Sequence, residues 1–200
     1  MIGVVDYKAG NLKSVDSALS FHGADFIISD DPDKLLKCDK MIFPGVGEAF
    51  SAMEVLKKSG LGDAVKTFAD SGKPLLGICL GAQIVFESSE ERNTTCLGLI
   101  PGVVKRFPSD MGLKVPHMGW NTIEYSGINL FKGIKQNSSF YFVHSYYIEA
   151  HSSANIAATC EYGLNFTAAA VKDNILACQF HPEKSGEAGL KVLGNFIKLY

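Results

Sequence analysis

The sequence predicts one α/β domain over residues 1–200, with a mostly parallel central sheet, helices on both faces and an antiparallel, β-rich C-terminal part. Three observations lead to this prediction. Short apolar runs alternate with segments of helical apolar spacing in the first half, and short β-type runs separated by turns dominate the second half. No linker, repeat or low-complexity tract divides the two halves. Strands that alternate with helices form parallel sheets whose faces the helices cover.

The strands of the first half are predicted from short apolar runs that stop at polar or turn residues. They are expected at residues 2–5, 24–28, 40–43 and 74–78. The helices are predicted from apolar residues three or four positions apart, as at Leu12, Val15 and Leu19. They are expected at residues 11–21, 32–36, 48–57, 62–69 and 80–87.

The second half is predicted to consist of short strands followed by one closing helix. The strands are expected at residues 103–107, 121–124, 140–143, 156–160, 168–171 and 176–180. Turn residues such as Tyr162-Gly163 and 172–174 separate several of these runs, which indicates antiparallel hairpins that return to the sheet. A helix is expected at residues 187–199.

Composition argues against several classes of function. A formal net charge of −2, with scattered Lys and Arg, provides no basic field for nucleic acid or an anionic membrane. No apolar run is long enough to span a bilayer, and the N-terminus lacks the pattern of a signal peptide. We therefore expect a soluble, cytoplasmic protein. The five cysteines are widely spaced and form no CxxC pair, so neither a disulfide framework nor a zinc site is expected.

The most informative stretch is Gly77-Ile78-Cys79-Leu80-Gly81, which joins a predicted strand directly to a predicted helix. This pattern is the cysteine form of a nucleophile elbow, a turn too tight for large side chains beside the nucleophile. It places Cys79 at a strand's carboxyl end and a helix N-terminus, where thiolate is favoured and the Leu80 N–H faces a forming oxyanion. We predict a nucleophilic Cys79; the alternative is a buried structural cysteine beside two packing glycines.

A second half-site follows the strand predicted at 176–180. There His181 precedes Pro182 and Glu183, and proline disfavours helical geometry at the residue before it. Residues two apart in an extended segment point to the same side, so Glu183 is expected to orient the His181 imidazole. An exposed turn is the alternative for His-Pro-Glu alone. Two half-sites of complementary chemistry, both at strand ends, favour a catalytic set.

Both motifs resemble those of class I, or triad, glutamine amidotransferases. The segment 77–83, which includes Gln83, is similar to the family's nucleophile motif, and 179–183 is similar to its His-x-Glu motif. Further segments resemble the glutaminase subunits of imidazole glycerol phosphate synthases, at 6–12, 44–47, 116–121, 144–146 and 179–185. Generic triad amidotransferases do not carry the Pro-His-Met-Gly-Trp-Asn segment at 116–121, so it is the most specific of these.

The resemblance implies a class I glutamine amidotransferase-like fold and a glutaminase. Cys79 would attack the glutamine carboxamide, and a glutamyl thioester would be hydrolysed to glutamate. His181 would move protons and Glu183 would hold His181. The oxyanion would be held by the N–H of Leu80 and an N–H in the Val46-Gly47 stretch.

The resemblance also implies binding roles. Gln83, Ser145 and Tyr146 resemble residues that bind the amino-acid end of glutamine, although Ser145 and Tyr146 alone read as a β-turn pair. Asn11 and Lys184 match positions that face a partner, although Lys184 alone reads as a solvated charge. His117 and Trp120 are expected to support the site or the interface, with core packing as the alternative.

The implied partner is a separate (β/α)₈-barrel cyclase subunit, which would form a heterodimer with this chain and receive its ammonia in histidine biosynthesis. No cofactor, metal, nucleic acid or membrane is implied. Three alternatives stay open at this point. DJ-1/PfpI-like proteins share a cysteine elbow but lack the His-Pro-Glu strand end. A binding module would have lost the triad, which is intact here. Sibling amidotransferases that serve pyridoxal phosphate, anthranilate or GMP synthesis lack segment 116–121.

Overall fold

The computed structural model describes residues 1–8 and 12–200. The helices of this part of the chain are α1 (Leu12–Phe21), α2 (Pro32–Leu36), α3 (Ala49–Ser59), α4 (Leu61–Asp70), α5 (Leu80–Ile84) and α6 (Gly186–Leu199). Its strands are β1 (Ile2–Val5), β2 (Phe26–Ser29), β3 (Lys40–Gly45), β4 (Leu75–Cys79), β5 (Ser88–Ser89), β6 (Thr94–Thr95), β7 (Gly102–Arg106), β8 (His117–Thr122), β9 (Glu124–Tyr125), β10 (Ser139–His144), β11 (Tyr146–Ala150), β12 (Ile156–Glu161), β13 (Asn165–Lys172) and β14 (Ile175–Cys178).

The central sheet is parallel through β2, β1, β3, β4 and β14, in that spatial order. It continues through β13, β11 and β7, each of which is antiparallel to the strand before it in this order, and β5 then pairs parallel to β7. The hairpin of β13 and β14 thus returns the second half to the parallel sheet, as predicted. Strands β8 and β10 form a separate two-stranded antiparallel sheet. The predicted fold class is confirmed.

The sheet separates two buried apolar layers. Leu76 of β4 belongs to the layer that contains Leu19 of α1 and Phe196 of α6. Its neighbour Leu75 belongs to the opposite layer, with Phe68 of α4. Successive strand residues therefore face different helices, which explains why these strands are apolar throughout. Parallel pairing of β4 with β3 and with β14 places the carboxyl ends of these three strands side by side.

The helix predicted at 80–87 is shorter than expected. It ends at Ile84, because the carbonyl of Ile84 accepts a hydrogen bond from the N–H of Leu97 and that of Val85 accepts one from Leu99. A distant segment thus takes the carbonyls that a longer helix would have used. Within residues 1–8 and 12–200, no helix combines the length and apolar character needed to cross a membrane.

The strand predicted at 121–124 lies mainly earlier, at His117–Thr122, and β11 was not predicted at all. Gly119, with φ +127°, weakens the strand signal of β8 at the sequence level. Pairing with β10 stabilises this segment as a strand.

Candidate active site

Cys79 lies at the junction of β4 and α5 in a conformation that L-residues rarely adopt. Its φ is 53° and its ψ is −107°. A Cβ on Gly77 would stand 2.8 Å from the Gly81 carbonyl oxygen, and one on Gly81 would overlap the Phe43 carbonyl. The predicted reason for the two glycines is therefore confirmed: the elbow leaves no room for side chains beside the cysteine. Backbone strain of this kind is concentrated at functional sites.

His181 and Glu183 form a buried pair directly after β14. Nδ1 of His181 lies 2.8 Å from Oε1 of Glu183, and each side chain is 2% exposed. The backbone N–H of His181 donates to the Tyr141 carbonyl at 2.9 Å, and its carbonyl accepts from the Ser185 hydroxyl at 2.6 Å. These bonds fix the segment that carries the imidazole. The predicted contact between His181 and Glu183 is confirmed, but the extended segment expected to produce it is not, because Pro182–Lys184 forms a single 3₁₀ turn.

The strands also bring this pair to the cysteine. β14 runs parallel to β4, with Cys178 opposite Ile78, so the residues after both strands meet at one edge of the sheet. Burial opposes the charged form of His181, but negative charge on the Cys79 sulfur and on Glu183 outweighs it and raises the pKa of His181. Nε2 of His181 is buried without a hydrogen-bond partner among the described residues. This nitrogen is thus left to exchange protons with a reacting group.

A cavity of about 290 Å³ opens at Cys79. It brings together all six residues predicted for the oxyanion hole and for substrate binding, namely Val46, Gly47, Leu80, Gln83, Ser145 and Tyr146. Gly45 pairs with Cys79 across β3 and β4, which places the Val46-Gly47 stretch next to the nucleophile. Gly47 has φ +103°, a conformation that favours glycine. The roles of these residues remain predictions.

Four further residues line the cavity that sequence reasoning did not assign to it: Glu91, Pro116, Val143 and His144. Oε2 of Glu91 accepts a hydrogen bond from the N–H of Ala49 at 2.6 Å, and burial raises the pKa of this carboxyl. For Pro116 and His144, the signal was their place in the segments that carried the family resemblance. For Glu91 and Val143 we find no signal in the sequence.

Gln83 connects the nucleophile helix to the opposite wall of the cavity. Its Nε2 donates to the Tyr146 carbonyl at 2.9 Å and to Oε1 of Gln179 at 3.0 Å. Both amide hydrogens are thereby used within the protein. The oxygen of Gln83 is left for a molecule bound in the cavity.

The predicted partner-facing residues lie outside the cavity. Asn11 falls outside the described residues. Lys184 is half-buried, in the short turn Pro182–Lys184 that follows His181. Trp120 is 59% exposed on β8 beside Met118, which is 62% exposed. Trp120 is therefore a surface residue and not a core one.

The five cysteines are free thiols, and all are buried. Among residues 1–8 and 12–200, no group of three His, Cys, Asp or Glu side chains is placed to hold a metal ion. The site combines a thiol, an imidazole and a carboxylate, with the imidazole between the other two, and backbone N–H groups lie beside them. This set suits acyl transfer through a covalent thioester.

Comparisons with known proteins agree with this chemistry. The family model for class-I glutamine amidotransferases matches residues 4–199. The chain is 50% identical to imidazole glycerol phosphate synthase subunit HisH of Methanosarcina acetivorans, covering 99% of this chain and 98% of that one. It is 48% identical to the same subunit of Bacteroides fragilis, covering 99% of each. For the HisH subunit of Herpetosiphon aurantiacus the identity is 45%, covering 100% of this chain and 94% of that one.

Two solved structures have a similar fold. A crystal structure of a glutamine amidotransferase superposes with a TM-score of 0.76 at 21% identity, covering 99% of this chain and 97% of that one. The structure of PurLQS from Thermotoga maritima gives 0.75 at 20% identity, with the same coverage.

Proposed function

This chain belongs to the class-I glutamine amidotransferases and, within them, to the HisH subunits of imidazole glycerol phosphate synthase, and we propose the following activity for it. It is a glutaminase that hydrolyses L-glutamine to L-glutamate and ammonia for a separate cyclase subunit. The proposal rests on the cavity at Cys79, which lies beside the buried pair of His181 and Glu183.

The proposed reaction begins when Sγ of Cys79, its proton held by His181, attacks the carboxamide carbon of glutamine. The tetrahedral intermediate expels ammonia, which takes the proton from Nε2 of His181 and leaves a glutamyl thioester. His181 then accepts a proton from the water that attacks the thioester, and glutamate departs as the sulfur is freed. Glu183 holds the imidazole through Nδ1 and stabilises its positive charge. Glutamine and water thus give glutamate and ammonia.

The oxyanion is proposed to accept hydrogen bonds from the N–H of Leu80 and from an N–H of the Val46-Gly47 stretch. Both segments line the cavity next to Cys79. The left-handed conformation of Gly47 gives this stretch access to peptide orientations closed to other residues. Donors of this kind lower the barrier because the charge develops only in the transition state.

The amino-acid end of glutamine is proposed to bind Gln83, Ser145 and Tyr146. These residues lie in the cavity with Cys79. The free oxygen of Gln83 is an acceptor for the substrate's α-ammonium group. The cavity volume of about 290 Å³ is sufficient for a single amino acid.

We propose that a (β/α)₈-barrel cyclase subunit binds the surface formed by Trp120, Met118 and Lys184 to form a heterodimer in the cytoplasm; the family resemblance also implies a partner contact for Asn11. Trp120 pairs across the two-stranded sheet with Tyr141, whose carbonyl accepts from the N–H of His181. The exposed aromatic surface therefore lies one strand away from the reacting groups. Ammonia released at Cys79 would therefore have a short path to a partner bound at this surface.

Covalent labelling tests the proposed nucleophile. A glutamine analogue that carries an electrophilic diazoketone should modify Cys79, as located by mass spectrometry of proteolytic peptides. Cys79→Ala should lose the label, and Cys96→Ala, which removes another buried thiol, should keep it. Labelling of Cys79→Ala at the wild-type level would contradict the proposal.

A further inference from the structure

A chain of buried hydrogen bonds links β8 to the wall of the glutamine cavity. Nδ2 of Asn121 lies 3.3 Å from Nε2 of His117, and Nδ1 of His117 lies 3.0 Å from Nε2 of His144. Nδ1 of His144 lies 2.7 Å from the carbonyl oxygen of Tyr146. His117 is 3% exposed and His144 is 6% exposed. Neither imidazole takes part in the mechanism described above.

The groups at its two ends fix the direction in which hydrogen bonds are donated along this series. A carbonyl only accepts, so Nδ1 of His144 carries the hydrogen and its Nε2, in a neutral ring, accepts from Nδ1–H of His117. Nε2 of His117 then accepts from the amide of Asn121. The other hydrogen of that amide goes to the Glu161 carbonyl at 2.9 Å, and the Asn121 oxygen accepts from the N–H of Thr122. Every polar atom of both rings is thereby satisfied.

The surroundings of the two rings keep them neutral. His117 is stacked between the rings of Tyr162 and Phe142, with centroids 4.0 and 4.8 Å away. Burial lowers the pKa of His117 to about 4 and that of His144 to about 3; the hydrogen bond to Tyr146 opposes the shift at His144, while His117 and His181 add to it. The tautomer of each ring is therefore set by its neighbours at neutral pH.

The chain of hydrogen bonds ends where the substrate is proposed to bind. The Tyr146 carbonyl accepts both from Nδ1–H of His144 and from the amide of Gln83. Holding this carbonyl therefore fixes the Ser145-Tyr146 backbone and leaves the Gln83 oxygen as the acceptor for a bound molecule. His144 itself lines the cavity.

We infer that His117 and His144 are positioning residues for substrate binding: their hydrogen-bonded chain holds Tyr146 and Gln83 in the arrangement that receives the amino-acid end of glutamine. This inference rests on the proposed function. It concerns binding of the substrate and not the covalent steps. None of the hydrogen bonds in this series involves Cys79, His181 or Glu183.

Three variants test the inference in the assembled complex with the cyclase. His117→Phe keeps a ring between Tyr162 and Phe142 but removes the hydrogen bonds, whereas His117→Asn keeps an N–H donor near the position of Nδ1. The matched control is Tyr162→Phe, which retains the stacked ring and loses only the bond from its hydroxyl to the Lys114 carbonyl, 2.8 Å long. Glutamate release is followed against glutamine concentration.

We expect His117→Phe to raise KM for glutamine roughly three- to tenfold, the range for one buried hydrogen bond, with kcat changed less than about twofold. His117→Asn should recover part of the loss, and Tyr162→Phe should match the wild type. If the wild type is active and the KM of His117→Phe is unchanged, the inference is wrong but the proposed function still stands. A wild type that releases no glutamate would overturn the proposed function and this inference with it.

Histidine side-chain NMR of the unmodified chain supplies a readout independent of turnover and of variant folding. Correlation of ring nitrogens with ring protons at neutral pH should show His117 and His144 neutral, each with its hydrogen on Nδ1. A hydrogen on Nε2 of His144, or a charged ring at either position, would refute the hydrogen-bonded chain and the inference.

Discussion

Replacing Glu183 with Gln tests the division of roles between the imidazole and the carboxylate. The variant keeps the volume of the side chain and an oxygen near Nδ1 of His181, where the wild-type distance is 2.8 Å. It removes the negative charge from a pair in which each side chain is 2% exposed. Water cannot replace that charge efficiently in a buried pair. The variant therefore loses mainly the stabilisation of the imidazolium that forms during the reaction.

The magnitude follows from the kind of bond that is lost. A hydrogen bond to a charged group contributes about 1.5–3 kcal/mol, which corresponds to about a 10- to 150-fold decrease in kcat/KM. His181→Ala removes the proton carrier itself and should lower kcat/KM by about tenfold or more beyond the loss in Glu183→Gln. The pKa of His181 should also fall in Glu183→Gln, because Glu183 helps to raise it.

The assay is glutamate release by the complex at several glutamine concentrations. Glu187→Gln is the matched control, since Glu187 is an exposed residue of α6 and the change is chemically the same. The control should retain wild-type rates. Equal losses in Glu183→Gln and His181→Ala, with both variants folded, would refute the assigned roles.

Further changes probe the separate acceptor site in the cyclase, the partner surface and stability in acid. Cys79→Ala should abolish glutamine-dependent synthesis by the complex but leave synthesis from ammonium salt; loss of both activities would contradict a separate acceptor site. Lys184→Ala should weaken activation by the cyclase while glutamine-analogue labelling of Cys79 persists; an unchanged response would remove Lys184 from the interface. The free energy of unfolding should fall as the pH drops from about 6.5 towards 4, because the unfolded chain protonates His117 and His144 while the folded chain keeps them neutral. The slope is up to ~1.4 kcal/mol per pH unit for each histidine, and denaturant titrations of the wild type and His117→Phe should show the smaller slope in the variant.

The predictable part of this site is the part built from local sequence. Gly77 and Gly81 flank Cys79 because backbone atoms occupy the space that side chains would need, and that requirement is visible in five consecutive residues. The contact of His181 with Glu183 is likewise local, but its basis is not the extended segment that was expected, because residues 182–184 form a single 3₁₀ turn. Strand ends then bring the two half-sites together, as the alternating pattern predicted.

What the sequence could not supply depends on long-range pairing. His117 and His144 are opposite each other only because β8 pairs antiparallel with β10, and 27 positions separate them in the chain. β11 was not predicted because Ser145 and Tyr146 alone read as turn residues. Trp120 shows the same limit, since its exposure follows from the face that β8 presents and not from its apolar character.

We propose that this chain releases ammonia from glutamine under the control of a cyclase partner. In this proposal the peptide at Val46 and Gly47 adopts two orientations, and only one of them directs an N–H towards the oxyanion. Loss of one such donor costs ~10²–10³ in rate. A partner shifts this equilibrium only by binding one orientation better.

Glutamate release should therefore be measured for the chain alone, with the cyclase, and with the cyclase carrying its nucleotide ligand. We expect slow release by the chain alone and strong activation once cyclase and ligand are both present. Equal rates in all three mixtures would contradict it and leave Gly47 as an ordinary turn glycine.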